Sequence, residues 1–195
     1  MEFQDVVRRR RMVRNFEDRE IGDETLKRML DNALHAPSAG FSQGWAFLVL
    51  QGEDKRRFHD VTYPGHNELG VYRAPVLIVC LSHKDAYLDR YTEPDKGWTD
   101  RDEGRWPAPY WDIDTGFAAL LMLLTAVDEG LGAVFFGIAP DKIDLFRQTF
   151  GVPDAYHPIG AIAVGYPAPD TPSPSLKRGR RTGAEVVHHG RWQAR

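Results

Sequence analysis

Apolar positions along the first third of the chain recur with a helical spacing. Leu26, Met29, Leu30, Ala33 and Leu34 fall at i, i+3, i+4, i+7 and i+8, one stripe of a helix over residues 23–34 with Asp23 as its N-cap. Pro37 ends that helix, because the residue before a proline is pushed out of the α region. Residues 2–11 predict another helix, with Phe3, Val6 and Val7 on one face. Residues 45–50 and 76–81 are continuous apolar runs of strand length, as expected of strands covered on both faces. A short exposed helix over residues 53–59 lies between them. Residues 112–129 are apolar nearly all round after Gly116 and predict a long, buried central helix, stopped by Gly130-Leu131-Gly132. A helix over 140–150 and a strand over 159–164 complete the pattern. Helices and strands mix without a steady βαβ rhythm, which predicts an α+β fold: a mixed or antiparallel sheet packed with helices.

Two stretches break the pattern. Residues 84–111 hold Trp98, Trp106 and Trp111 among prolines and alternating charges and show no sustained period. Such a segment is expected to be an irregular lid or substrate-binding stretch. Residues 166–195 begin with a proline-rich extended run and continue as a C-terminal arm, whose Val186, Val187 and Trp192 imply that it docks again. No repeat or linker divides the chain, so residues 1–195 are read as one domain.

Composition narrows the classes of function. A chain of 195 residues with 42% hydrophobic and 27% charged content can bury a substantial core. A net charge of −3 argues against a nucleic-acid surface. The single cysteine, Cys80, lies inside an apolar run, which predicts a buried and inert thiol. The charged N-terminal segment lacks a signal-peptide pattern, and the longest apolar stretch, residues 117–127, is short for a bilayer. The expected location is therefore the cytoplasm, with no membrane partner.

The candidate chemistry is concentrated in four segments. Arg10, Arg11 and Arg14 stand where a helix gives way to an extended turn, and there they can converge on one anion. Guanidinium forks suit phosphate because they donate parallel, charge-assisted hydrogen bonds. The loop from Ala36-Pro37-Ser38-Ala39 to Trp45 offers Ser38, Ser42 and Gln43 as polar groups, while Ala39 and Gly40 leave room for a ligand. Gly130-Leu131-Gly132 precedes Phe135-Phe136-Gly137, but it follows a helix and lacks the third glycine of a dinucleotide fingerprint. Lys177-Arg178-Gly179-Arg180-Arg181 adds a basic tail. The seven histidines show no metal-ligand spacing. Asp112 and Asp114 lie about 200° apart on a helix, which gives them the role of N-terminal helix charge instead of a catalytic pair.

In this order the segments resemble the nitroreductase family of FMN-dependent oxidoreductases. The resemblance rests on Arg10 to Phe16, Ala36 to Trp45, Gly130 to Gly132, Gly165-Tyr166-Pro167 and Lys177 to Arg181, and it spans nearly the whole chain. It implies that Arg10 and Arg11 grip the FMN phosphate and that Arg14 lies by the ribityl chain or the N1/O2 edge. Pro37, Ser38 and Ala39 would line one side of the ring system with Gln43 nearby, and the backbone of Phe135, Phe136 and Gly137 would face it near N5. Asn67 would lie toward the pyrimidine edge. Lys177, Arg178, Arg180 and Arg181 all compete to close the phosphate site.

The resemblance further implies a homodimer with sites at its interface. It also implies NAD(P)H as donor and ping-pong transfer through the flavin to a small organic acceptor such as a nitroaromatic or a quinone. The flavin would carry the chemistry, with no dedicated catalytic residue and no metal. The same fold also admits a flavin-consuming, dimethylbenzimidazole-forming enzyme, or a non-catalytic flavin or deazaflavin binder. Three positions depart from the family pattern: Met12 replaces a serine, Phe41 an asparagine and Gly44 a proline. Phe41, Trp106 and Trp111 are expected to shape an apolar substrate pocket.

Overall fold

Strand Val76–His83 (β2) is buried along nearly its whole length, which is why its sequence reads as an unbroken apolar run. In the computed structural model, which describes residues 1–65 and 70–193, it lies inside a four-stranded sheet. Trp45–Gln51 (β1) flanks β2 on one side, with Trp45 opposite Ser82 and Gln51 opposite Val76. Tyr156–Gly165 (β4) flanks it on the other, and Gly132–Phe136 (β3) pairs outside β4. Every pairing is antiparallel, so the sheet order is β1-β2-β4-β3.

Successive side chains of a strand point to opposite faces, and here both faces are covered. Val76, Ile78 and Cys80 share one face with Ile162, Val164 and Ala133. Asp23–Ala33 (α2) and the central helix Tyr110–Asp128 (α5) pack on it through Met29, Ala33, Ala118 and Met122. Leu77, Val79 and Leu81 share the other face with Ala161, Ala163 and Val134. It is closed by Phe58 of Gly52–Thr62 (α3) and Phe146 of Ile143–Phe150 (α6). Phe58 and Phe146 are fully buried, each contributing about 1.5–3 kcal/mol of transfer free energy. Phe3–Arg9 (α1) packs against α5.

The structure corrects the sequence-based expectations in several places. Asp23 is the first residue of α2 and not its cap; Gly22 precedes it, and the Asp23 charge lies at the positive end of the helix. The apolar run read as short for a bilayer belongs to a 19-residue helix that is long and apolar enough to cross one. Half of its apolar window is buried inside the protein, as expected of a core helix. Within residues 84–111, read as irregular, Lys84–Tyr91 (α4) is a helix and Glu103–Arg105 a single 3₁₀ turn. Two turns are too few to establish a period, and α4 is held by its buried Tyr87 and Leu88.

The arm contains a 3₁₀ turn, Pro174–Arg178, and one helical turn, Gly183–Val186 (α7), where the Thr182 N–H donates to Glu185 at 2.6 Å. Among the described residues its end does not pack back on its own chain: Trp192 is 81% exposed with its ring stacked on His188, and Val186 is also exposed.

Candidate functional site

The arginine segment is an edge strand in all but length. Beyond α1 the chain turns extended at Arg10 and runs parallel beside β3, bridging Met12 to Ala133, with the Val13 N–H donating to the Ala133 carbonyl at 3.0 Å. Val13 and Phe16 are buried and anchor the segment. Gly132 makes this approach possible: a Cβ there would stand 2.8–2.9 Å from the Val13 side chain.

One guanidinium nitrogen of Arg10, Nη1, is buried without a hydrogen-bond partner among the described residues. Among the described residues Arg11 makes only a long 3.9 Å ion pair, with Asp170. The Arg14 backbone N–H donates to the same carboxylate at 2.9 Å, while its guanidinium reaches only the Met12 carbonyl, at 3.5 Å. Arg11 and Arg14 thus flank one carboxylate, and all three guanidiniums keep donors unused among the described residues. Next to them Arg14, Tyr63, Tyr72, Val134 and Phe136 line an apolar cavity of about 250 Å³. The Tyr63 hydroxyl donates to the Gly137 carbonyl at the end of β3, and burial pushes both phenols, Tyr63 and Tyr72, above the usual tyrosine range.

The second cluster is the loop after α2. Its backbone is strained: Phe41 (φ 58°) and Gln43 (φ 50°) adopt the left-handed conformation that side chains disfavour, beside Gly40 at φ 63°. The Ser42 hydroxyl donates to the Ala39 carbonyl at 2.7 Å, Ser38 Oγ accepts the Gln43 N–H at 3.1 Å, and Arg90 Nε donates to the Gly40 carbonyl at 3.0 Å. Gly44 is required by close approach, since a Cβ would lie 2.7 Å from the His83 carbonyl oxygen. That contact accounts for glycine where the family pattern has proline.

What holds this loop was missed in the sequence. Asp114 of α5, only 3% exposed, accepts the Ala39 N–H at 2.8 Å and the Tyr87 hydroxyl at 2.9 Å. Burial, and then the bond to Asp114, push the Tyr87 phenol far above its ordinary range. The available signal was a carboxylate inside a helix apolar on nearly every side, where an acid persists only if it is fully hydrogen-bonded. Asp112 likewise accepts the Ser82 hydroxyl at 2.6 Å, on the floor of a separate polar cavity of about 470 Å³.

The two clusters stand at opposite ends of α5. Asp114 anchors the loop near the helix start, whereas Val13 packs on Gly132, just past its end. At 1.5 Å per residue the helix separates them by about 20 Å. From the first residue of α5 onward Tyr110, Ile113, Phe117 and Leu120 form an exposed apolar stripe, 37–45% accessible, and Phe41 on the loop is 75% accessible.

Comparison with known proteins decides the family. The nitroreductase family pattern matches residues 7–64 and 61–166. The chain belongs to the nitroreductase family. A Methanothermobacter thermautotrophicus relative, named as an NADH dehydrogenase/NAD(P)H nitroreductase, is 29% identical over 171 residues, covering 86% of this chain and 78% of its own. A Staphylococcus aureus NADPH-dependent oxidoreductase is 24% identical over 191 residues, covering 97% of this chain and 73% of its own. Among solved structures, a nitroreductase family protein of Clostridium difficile superposes with a TM-score of 0.73 at 28% identity, covering 98% and 100% of the two chains. A Desulfovibrio desulfuricans nitroreductase, solved in complex with FMN, shares the fold with a TM-score of 0.75 at 24% identity over 99% of each chain.

Set against this nitroreductase frame, the expected site residues fall into separate groups. Arg10, Arg11, Arg14, Phe136 and the Gly137 carbonyl gather at one end, with Phe135 turned to the opposite face of the sheet. Pro37, Ser38, Ala39 and Gln43 gather at the other. Asn67 lies outside the described residues. Arg178, Arg180 and Arg181 are exposed, and Arg181 donates to the Glu185 carbonyl, so within one chain the tail does not close the arginine cluster.

Phe41, Trp106 and Trp111 do not line the Arg14 cavity of their own chain. Trp111 is buried, and Trp106 sits in an aromatic cluster with Tyr91 (4.5 Å between ring centres) and Trp98 (5.5 Å). Aromatic rings in this segment bury against one another because α4 brings Tyr87 and Tyr91 among them. Among the described residues, no group of three or more His, Cys, Asp or Glu side chains could hold a metal ion.

Proposed function

We propose that this protein is an FMN-dependent NAD(P)H oxidoreductase, acting as a homodimer on a small organic acceptor such as a quinone or nitroarene. The observation that carries the reading is the buried Arg10 Nη1, without a hydrogen-bond partner among the described residues, in the same short segment as Arg14, whose side chain lines an apolar cavity. A buried cation with an unmet donor is costly unless an anion answers it. A phosphate joined to a flat apolar ring meets both the guanidinium cluster and the cavity. FMN is such a molecule, and the FMN complex of the Desulfovibrio neighbour supports the choice.

In this reading Arg10 and Arg11 hold the phosphate. Arg14, lining the cavity, places positive charge at the edge of the ring system, where it favours a reduced, anionic flavin. Tyr63 fixes the Gly137 carbonyl and with it the backbone that faces the ring. When bound, the flavin supplies the redox chemistry, taking hydride from the nicotinamide and returning two electrons to the acceptor. Donor and acceptor that meet the same face of the flavin do so in turn, which is the ping-pong order.

The dimer follows from the division of the site. A second copy seated antiparallel on the exposed stripe of α5 brings its Ser38–Gln43 loop, Phe41 included, to the Arg14 end of the first chain and covers the apolar surface of both. Phe41 then becomes a wall of the partner's acceptor pocket.

The test is spectroscopic. Purified protein given FMN is expected to retain an absorbance band near about 450 nm and to bleach with NADPH or NADH without oxygen. Arg10→Met is expected to weaken FMN binding by about ten- to a hundredfold, the loss of a charge-assisted contact. Phe117→Lys is expected to give a monomer that binds FMN poorly. Protein that stays colourless overturns the reading. Consumption of FMN itself in air would replace it with flavin cleavage, and tight flavin binding without NAD(P)H oxidation would replace it with a carrier.

A further inference from the structure

Beyond the Arg14 cavity, on the far side of Tyr72, lies a polar cleft of about 550 Å³, and the proposed function assigns it no role. Tyr72 lines both spaces and is their shared wall. On this side the Tyr72 ring lies against the imidazole of His59, with centroids 3.8 Å apart. His59 is 4% exposed, and neither of its ring nitrogens has a hydrogen-bond partner among the described residues. A buried polar ring with both nitrogens unmet is unfavourable in the free protein, and it stands on the wall of a cleft large enough for a nucleotide.

The charges around His59 indicate what would fill the cleft. Arg73 makes no ion pair or hydrogen bond among the described residues. Lys55 uses one donor on the Ala74 carbonyl at 2.8 Å and has two in reserve. Opposite them the carboxylates of Asp18, Glu20 and Asp60 likewise make no ion pair among the described residues. A bare anion would be repelled by three acids, and a bare cation by Lys55 and Arg73. A ligand carrying phosphate and sugar hydroxyls together satisfies both: phosphate oxygens accept from Lys55, Arg73 and one His59 nitrogen, while the hydroxyls donate to the carboxylates.

We propose that this cleft binds the adenosine-phosphate half of the nicotinamide dinucleotide, which reaches around Tyr72 so that its nicotinamide meets the flavin ring held in the Arg14 cavity. The inference rests on the proposed oxidoreductase reading. It makes Lys55, His59 and Arg73 the residues that distinguish a dinucleotide donor from a shorter one.

The test separates the two halves of the donor. Steady-state kinetics on flavin-loaded protein are run with NADPH and NADH, and with reduced nicotinamide mononucleotide, which lacks the adenosine half. Arg73→Ala and Lys55→Met are expected to raise KM for the dinucleotides about tenfold with kcat changed less than twofold. KM for the mononucleotide should rise by a much smaller factor. His59→Phe, which keeps a ring against Tyr72, is expected to move KM in the same direction. In parallel, ADP titrated into the protein by calorimetry is expected to bind the wild type and to bind Arg73→Ala at least five times more weakly.

Equal changes for the dinucleotides and the mononucleotide, or ADP binding indifferent to all three substitutions, overturn the proposal. Because the ADP titration needs no flavin, a protein that fails to take up FMN would overturn the oxidoreductase reading while the cleft is still judged by its own measurement.

Discussion

Asp114 offers the sharpest test of how the Ser38–Gln43 loop is held. Its carboxylate, 3% exposed, accepts from the Ala39 N–H at 2.8 Å and from the Tyr87 hydroxyl at 2.9 Å. A hydrogen bond to a charged group contributes about 1.5–3 kcal/mol, and a donor left buried without an acceptor costs a similar amount. Asp114→Ala removes one acceptor from two donors, and water can reach the half-buried Ala39 more readily than the buried phenol. The expected loss is therefore about 3–5 kcal/mol, a large share of the roughly 5–15 kcal/mol that keeps a domain folded. Asp114→Asn keeps an acceptor oxygen and loses the charge, for about 1–2 kcal/mol. Tyr87→Phe removes only the phenol bond, so the double variant with Asp114→Asn should show a coupling of about 1–2 kcal/mol. The assay is urea unfolding followed by circular dichroism at fixed protein concentration, reading the midpoint at unchanged m. If Asp114→Ala costs under about 0.5 kcal/mol, or the two changes simply add, the carboxylate does not anchor the loop.

Three further outcomes are expected. Burial, followed by the Lys55 charge, depresses His59 from 6.5 to about 4, so the unfolded chain binds its proton more readily between those values. Stability conferred by the neutral ring is full above pH 6.5 and is lost as pH falls toward 4. The loss is about 3 kcal/mol for a wholly water-free ring and about 2 once cleft water screens it. Unfolding midpoints from pH 4 to 7 should therefore fall less steeply with acid in His59→Phe than in the wild type, and equal slopes would remove His59 as the cause. Gly132→Val drives a side chain into Val13, 2.8–2.9 Å from a Cβ, and should cost about 1–3 kcal/mol in urea unfolding together with weaker FMN binding. An unchanged FMN titration would show that the arginine segment does not depend on that contact. Burial pushes the Cys80 thiol up to about 12, so a thiol reagent at pH 8 should leave the folded protein unlabelled and label it in urea, and rapid native labelling would contradict the packing of β2.

Whatever burial alone determines was legible in the sequence. The runs at residues 45–50 and 76–81 and the long apolar helix lie close to where their hydrophobic patterns put them, because each is covered on faces its own residues report. α4 was not legible, since its two turns are held by contacts from elsewhere: Tyr87 by Asp114, and Arg90 by the Gly40 carbonyl. Asp114 was passed over for a related reason, as helix spacing says where a carboxylate points and nothing about the loop N–H waiting for it. The deeper difficulty was spatial. Arg14 and Ser38 are close in sequence and share one chemical theme, so they read as parts of a single site. Yet α5 and the sheet carry them to opposite ends, one past Gly132 and the other beside Asp114. No periodicity encodes that separation, because it depends on the strand register and on which end of α5 each segment meets. Once it is seen, the departures at Phe41 and Gly44 take different meanings. Gly44 answers to its own chain, where the His83 carbonyl leaves no room for a side chain. Phe41, held at positive φ and 75% exposed, answers to little in its own chain, and the proposed homodimer is what would give it a surface to cover.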